Sequence, residues 1–248
     1  MAKQAGYIKL EGTIGDLSFY KNRDGKYIAR RKGGVAKDRL LNDPRFERTR
    51  ENMREFSRAA TAAKFLKNAF REIEVKSNGG KLHNRLYSLA HRVLKTDPVS
   101  ERGERQFELG DLSLLIGFEF SEVAVMERIL KKQLLVVDTT DSVSVTIPEM
   151  IASKYLVHPR GSSHYRFSLI RAGVNFVQGT YQTEMATLET LPIRKLADPE
   201  VTLSLPKPAV EGEHHFFALA LEFLTQVNGN RYDLNDVSQN PAVILSAG

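Results

Sequence analysis

The stretch 43–73 constrains the fold more than any other, because it is the longest segment with one clear helical period. Phe46, Met53, Phe56, Leu66, Phe70 and Ile73 alternate there with Ala59, Ala60, Ala62, Ala63 and Ala69. Helical spacing predicts that Met53, Phe56, Ala60, Ala63, Phe70 and Ile73 form one covered seam. Asn42 or Asp43 fits the N-cap and Pro44 the first helical position, where a missing backbone donor costs nothing. Arg50, Arg54 and Arg58 climb another face. They read either as a solvated exterior relieved by Glu47, Glu51 and Glu55, or as a surface that meets a polyanion. A second helix follows, with Leu82, Leu86, Leu89, Ala90 and Val93 on its buried side, and stops near Thr96-Asp97-Pro98. Residues 43–95 are therefore expected as an antiparallel helical pair, or as three helices if the first breaks between Arg58 and Thr61.

On either side the period changes to that of strands. Residues 5–31 read as a short β-ribbon turned at Gly12-Thr13-Ile14-Gly15-Asp16 and at Asn22-Arg23-Asp24-Gly25. Two strands alone bury too little apolar area to stand in water, so the ribbon needs a companion. After Ser100, short extended segments are expected at 106–109 and 114–120, the latter alternatively a turn of helix. In Val143-Ser144-Val145-Thr146-Ile147 apolar residues alternate with hydroxyls, which gives one core face and one wet face. Similar runs recur at 132–138, 165–170, 173–177, 181–188, 201–205, 215–227 and 242–245. The expected fold class is α+β: an N-terminal β-ribbon and antiparallel helices, then an antiparallel β-sandwich, immunoglobulin-like or jelly-roll-like. The expected domains are a basic region, 1–99, and an acidic sandwich, 100–248.

Charge follows the same division. The net charge of +6 conceals 23 Lys or Arg against 11 Asp or Glu in residues 1–100, and 13 against 19 in residues 101–248. Such halves attract one another or opposite partners, so head-to-tail stacking of copies stands beside nucleic-acid binding. The absence of cysteine excludes disulfides, zinc–thiolate sites and thiol nucleophiles. No apolar run reaches the length of a membrane span, and the N-terminus has no apolar core of signal-peptide length, so no membrane insertion and a cytoplasmic location are expected.

No motif carries catalysis. Gly12-Thr13-Ile14-Gly15 lacks the third glycine of a dinucleotide fingerprint and the Gly-Lys-Ser/Thr ending of a triphosphate loop. His214 and His215 are adjacent, so in a strand they point to opposite faces and cannot both enter one core; two-residue spacing would have suited a shared metal better. The segment 228–236 is oxygen-rich but lacks EF-hand spacing. The reading is a non-enzyme with no catalytic, cofactor or metal residues. Candidate polyanion- or partner-binding residues are Arg30, Arg31, Lys32, Lys37, Arg39, Arg50, Arg54 and Arg58.

Gly12-x-x-Gly15-x-x-x-Phe19-Tyr20-Lys21 with Tyr27-Ile28-Ala29-Arg30, and the ending Ala220-Leu221-Glu222-Phe223-Leu224-Thr225-Gln226-Val227-Asn228-Gly229-Asn230-Arg231-Tyr232-x-Leu234, resemble a poorly characterised family of Bacteroidota proteins. The resemblance touches both ends of the chain, supports fold unity and brings no catalytic or ligand-binding residues with it. The expected function is a structural or scaffold protein acting through protein–protein assembly, with a protein partner or homo-oligomer. The alternative is a DNA- or RNA-binding protein that uses the basic N-terminal surface.

Overall fold

A computed structural model describes residues 2–31, 33–77, 81–234 and 239–248, and the chain divides into two compact units, 1–50 and 51–248. In the first unit, β1 (Ala2–Lys3), β2 (Gly12–Ile14), β3 (Leu17–Lys21) and β4 (Tyr27–Arg31) form an antiparallel sheet in the order β1-β4-β3-β2. Gly15, at φ +56°, makes the tight turn between β2 and β3. Asn22 closes the next turn by accepting from the Lys26 amide at 2.8 Å. Helix α1 (Lys37–Asn42) and a 3₁₀ turn (Pro44–Phe46) complete the unit. Asp43 caps that turn through the Arg45 amide at 3.0 Å, with Pro44 at its first position. None of the described residues of this unit is buried.

Helix α2 (Glu47–Ala69) begins at the end of the first unit and runs on into the second, followed by α3 (Arg71–Ser77) and α4 (Leu82–Leu94). The break falls at Phe70, not between Arg58 and Thr61. The expected seam needs a partial correction: Ala63, Phe70 and Ile73 are buried as expected, but Met53 and Phe56 are 48% and 45% exposed, and Glu55, Ala59, Ala62, Leu66 and Ala69 join the covered face. The cause lies in what covers the helix. Ala59, Ala63 and Leu66 share a core with Ile170, Ala172, Phe216, Ala218 and Ala242, so small side chains line both the helix and the sheet of that core. Phe56 instead lies beside Tyr87 and His91 of α4, with ring centroids 6.3 and 4.8 Å away.

The sheets of the second unit are antiparallel. The longest strands, β8 (His164–Asn175) and β13 (His214–Val227), pair at the centre of a six-stranded sheet. On the outer side of β8 lie β9 (Thr180–Thr187) and β10 (Leu191–Pro192), and on that of β13 lie β14 (Asn230–Asp233) and β15 (Ala242–Ala247). A three-stranded sheet runs β12 (Val201–Pro206), β6 (Ser142–Ile147), β5 (Leu135–Asp138), and β7 (Met150–Ile151) pairs with β11 (Ala197–Asp198). Two single-turn helices, α5 (Met126–Ile129) and α6 (Ala152–Tyr155), punctuate these strands.

The predicted alternation of β6 is realised, with Val143, Val145 and Ile147 buried and the residues between them partly exposed. Its apolar face shares a core with Phe167, Leu169, Phe217, Leu219 and Leu203. The central strands are thus covered on both faces, by helices over Ile170, Ala172 and Val174 and by the smaller sheet over Tyr165, Phe167 and Leu169. Two-sided burial explains why the run expected at 165–170 and most of that at 173–177 form one strand, which holds Arg171 and Ala172 and ends at Asn175 before a turn. Residues 106–109 are irregular where an extended segment was expected, and residues 112–115 form a 3₁₀ turn. Among the described residues no helix is long and apolar enough to cross a membrane.

Candidate functional site

In the first unit the candidate cations fall into two groups. Arg30 lies over the Tyr20 ring, 5.4 Å from its centroid, and Arg31 is 3.9 Å from Asp16, both charges of that pair being over 80% exposed. An exposed pair at that distance contributes little. Lys37 opens α1. Arg39 and Arg50 instead converge on Asp43. Arg39 binds its carboxylate at 3.1 Å, and Arg50 donates to the carbonyls of Asp43 and Leu40 at 2.9 and 3.0 Å. Both arginines therefore clasp the turn that leads into α2. Lys32 lies outside the described residues, as do the expected turn residues Asn78-Gly79-Gly80 and Asn235-Asp236 of the oxygen-rich segment.

In the second unit, Arg54 and Arg58 are held by a loop that arrives some fifty residues later. Glu104 takes both, Arg54 at 3.3 Å and Arg58 at closer range, and Arg58 also donates to the carbonyls of Gly103 and Arg105 at 2.8 and 3.3 Å. Helix acids answer from the other side. Glu55, buried on the covered face, accepts from the Gly103 amide at 2.9 Å and lies 3.7 Å from Arg105, while Glu51 is 3.2 Å from Arg102. Glu51 and Glu55 thus reach across to this loop, whereas the sequence suggested that they relieve their own helix. Burial explains the choice for Glu55, since a carboxylate on the core face needs strong donors in fixed positions. Gly103, at φ +87°, lies so close over Glu51 that a side chain there would collide with it.

Asp97 anchors the start of this loop. Its Oδ1 accepts from the Val99 and Ser100 amides at 2.8 and 3.2 Å, and its Oδ2 from the Gln106 amide at 2.9 Å. Burial works against its charge, but these donors outweigh it and bring the pKa down to about 2. His214 and His215 do face opposite ways: His214 lies 6.1 Å from Phe176 on the helix side, and His215 Nε2 is 2.8 Å from the Pro208 carbonyl.

One carboxyl had no sequence signal. Glu119 lines an open cleft of about 790 Å³ whose walls include Met126, Leu130, Leu134, Val136, Val243 and Leu245. Its Oε1 accepts from the Met126 amide at 3.0 Å, and its Oε2 is buried without a partner. Burial, helped by the charge of Glu127, pushes its pKa up to about 7 against the pull of that amide and of Arg85. Such a group holds or releases a proton near neutrality. In sequence it is a lone acid between Phe118 and Phe120, with no spacing to mark it. Among the described residues no cluster of three or more His, Asp or Glu side chains could hold a metal ion. Comparison of the chain with protein-family models, curated proteins and solved structures finds no match.

Proposed function

We propose that the chain is a non-enzymatic structural or scaffold protein that acts through protein–protein assembly, with its N-terminal ribbon docking on a second copy. The observation that carries this reading is the state of the first unit. A four-stranded sheet stands there without one buried described residue, while Tyr7, Ile8 and Ile14 are 107%, 81% and 62% exposed. A unit of this size without a core gains stability by covering such a surface. Charge supports a second copy as the cover. Residues 1–50 hold 13 Lys or Arg against 6 Asp or Glu, and residues 101–248 hold 13 against 19.

The expected immunoglobulin-like or jelly-roll-like sandwich belongs to the same proposal, supported by the apolar faces of β6 and β12 meeting those of β8 and β13 in one core. DNA or RNA binding is less well supported, because Arg39, Arg50, Arg54 and Arg58 already hold acceptors within the chain.

Native mass measurement over a wide concentration range, with cross-linking, tests the reading. Oligomers that weaken on Ile8→Ser with Ile14→Ser are expected, and a strict monomer overturns the proposal. Salt-sensitive binding of duplex or single-stranded nucleic acid would favour the alternative instead.

A further inference from the structure

The edge of the six-stranded sheet formed by β9 is eight residues long, and all but one of its side chains are exposed. It pairs with β8 in an unbroken register from Ser168↔Thr187 to Asn175↔Thr180, and among the described residues no strand pairs with its other side. The Leu188 amide donates to the Phe167 carbonyl at 2.9 Å, which makes those two a hydrogen-bonded pair. Antiparallel alternation then turns the N–H and C=O groups of Tyr181, Thr183, Met185 and Thr187 away from β8. Natural edges are usually protected by lysine, proline, a bulge or brevity. Here Thr-Tyr-Gln-Thr-Glu-Met-Ala-Thr has one charge, Glu184, which lies 3.2 Å from Arg171. The other open edges are shorter, such as β5 and β14 at four residues each.

A row of outward amides and carbonyls is complemented by another strand, and this strand complements itself. Tyr181 and Met185 are 45% and 46% exposed and lie on the helix side of the sheet, Met185 opposite Ile170. An antiparallel two-fold centred on Glu184 would set Glu184 against its own copy. Centred on Met185, it would set Tyr181 against Glu189. Centred on Thr183, it sets Tyr181 against Met185 of the second copy and Gln182 against Glu184, so exposed apolar groups cover each other and no like charges meet.

We propose that two copies join edge to edge through β9, antiparallel about a two-fold axis at Thr183, so that the two six-stranded sheets run on as one. The join is isologous and adds about six backbone hydrogen bonds. It rests on the reading of the chain as an assembly protein but uses a different surface from the ribbon.

The absence of cysteine makes the test clean. Thr183→Cys, treated with a short bis-maleimide, is expected to give a covalent dimer. Thr187→Cys is expected to give none, since its two copies lie about 26 Å apart at ~3.3 Å per residue. Thr183→Pro leaves the ladder with β8 intact, because that N–H points outward, and is expected to weaken dimerisation at least ten-fold with unchanged circular dichroism. Should that variant misfold, Tyr181→Lys supplies the same readout from an exposed side chain. Equal cross-linking at both cysteines, or a variant dimer as tight as the wild type, overturns the edge. Cross-linking at Thr183→Cys together with indifference to the Ile8 and Ile14 substitutions upholds the edge and overturns ribbon docking. A strictly monomeric wild type overturns both.

Discussion

Asp97→Asn will destabilise the second unit by about 2 kcal/mol at pH 7. The magnitude follows from the carboxyl pKa, about 2 against an ordinary 3.8, at roughly 1.36 kcal/mol per unit. The amide is nearly the same shape, and its oxygen can still take the Val99 and Ser100 donors, but its NH₂ then faces the Gln106 N–H with no acceptor between them. The depressed pKa fixes the sign of the pH dependence. Stabilisation by the charged form is complete above about pH 4 and fades as pH falls toward 2. Urea unfolding followed by circular dichroism at pH 7 should show the midpoint lowered by about 0.7 M, for a slope of about 3 kcal/mol per molar. Repeated at pH 5, 4, 3 and 2, the gap between wild type and variant should close. A gap below about 0.5 kcal/mol at pH 7, or one that stays constant down to pH 2, would refute the assignment of Asp97 as the loop's ionised anchor.

Glu119→Gln should leave stability unchanged below about pH 4.5 and raise it above pH 7, because the raised pKa means that the wild type loses stability as pH rises through that interval; thermal melts across pH 4–8 check this. Glu222 is buried between Lys76, at 2.9 Å, and Arg166, so Glu222→Ala strands two cations and should cost roughly 3 kcal/mol in denaturant titration. At Gly110 an added Cβ would run into the Val93 carbonyl, so Gly110→Ala should cost at least about 2 kcal/mol, whereas Met53→Ala on the exposed face of α2 should stay within about 0.5 kcal/mol.

Local signals were legible where local physics decides. The Asp43–Pro44 start, the stop of α4 before Pro98, the Gly15 turn and the alternation of β6 all follow from caps, backbone preference and period. The N-terminal half of the buried face of α2 did not, because Met53 and Phe56 stay exposed there while Glu55, Ala59 and Ala62 are covered. The alanines of that face share a core with Ala172 and Ala218, and a glutamate entered the face because Gly103 and Arg105, far off in sequence, supply its partners. The basic residues were easy to see, but sequence spacing did not show that Glu104 holds two of them. Glu119 was invisible, since its perturbation comes from a cleft assembled by segments more than a hundred residues apart.

The shared core of helices and sheet also has a consequence for how the chain is made. Ala59, Leu66, Phe70 and Leu86 are covered in part by Phe216, Ala218, Ala242 and Ile244. On the ribosome the helices are therefore complete well over a hundred residues before the strands that cover them emerge. At about 5–20 residues per second, their apolar face stays open for several seconds or more during synthesis. The nascent chain is then a substrate for any chaperone that binds exposed aliphatic helices, and the core closes only once β15 has emerged.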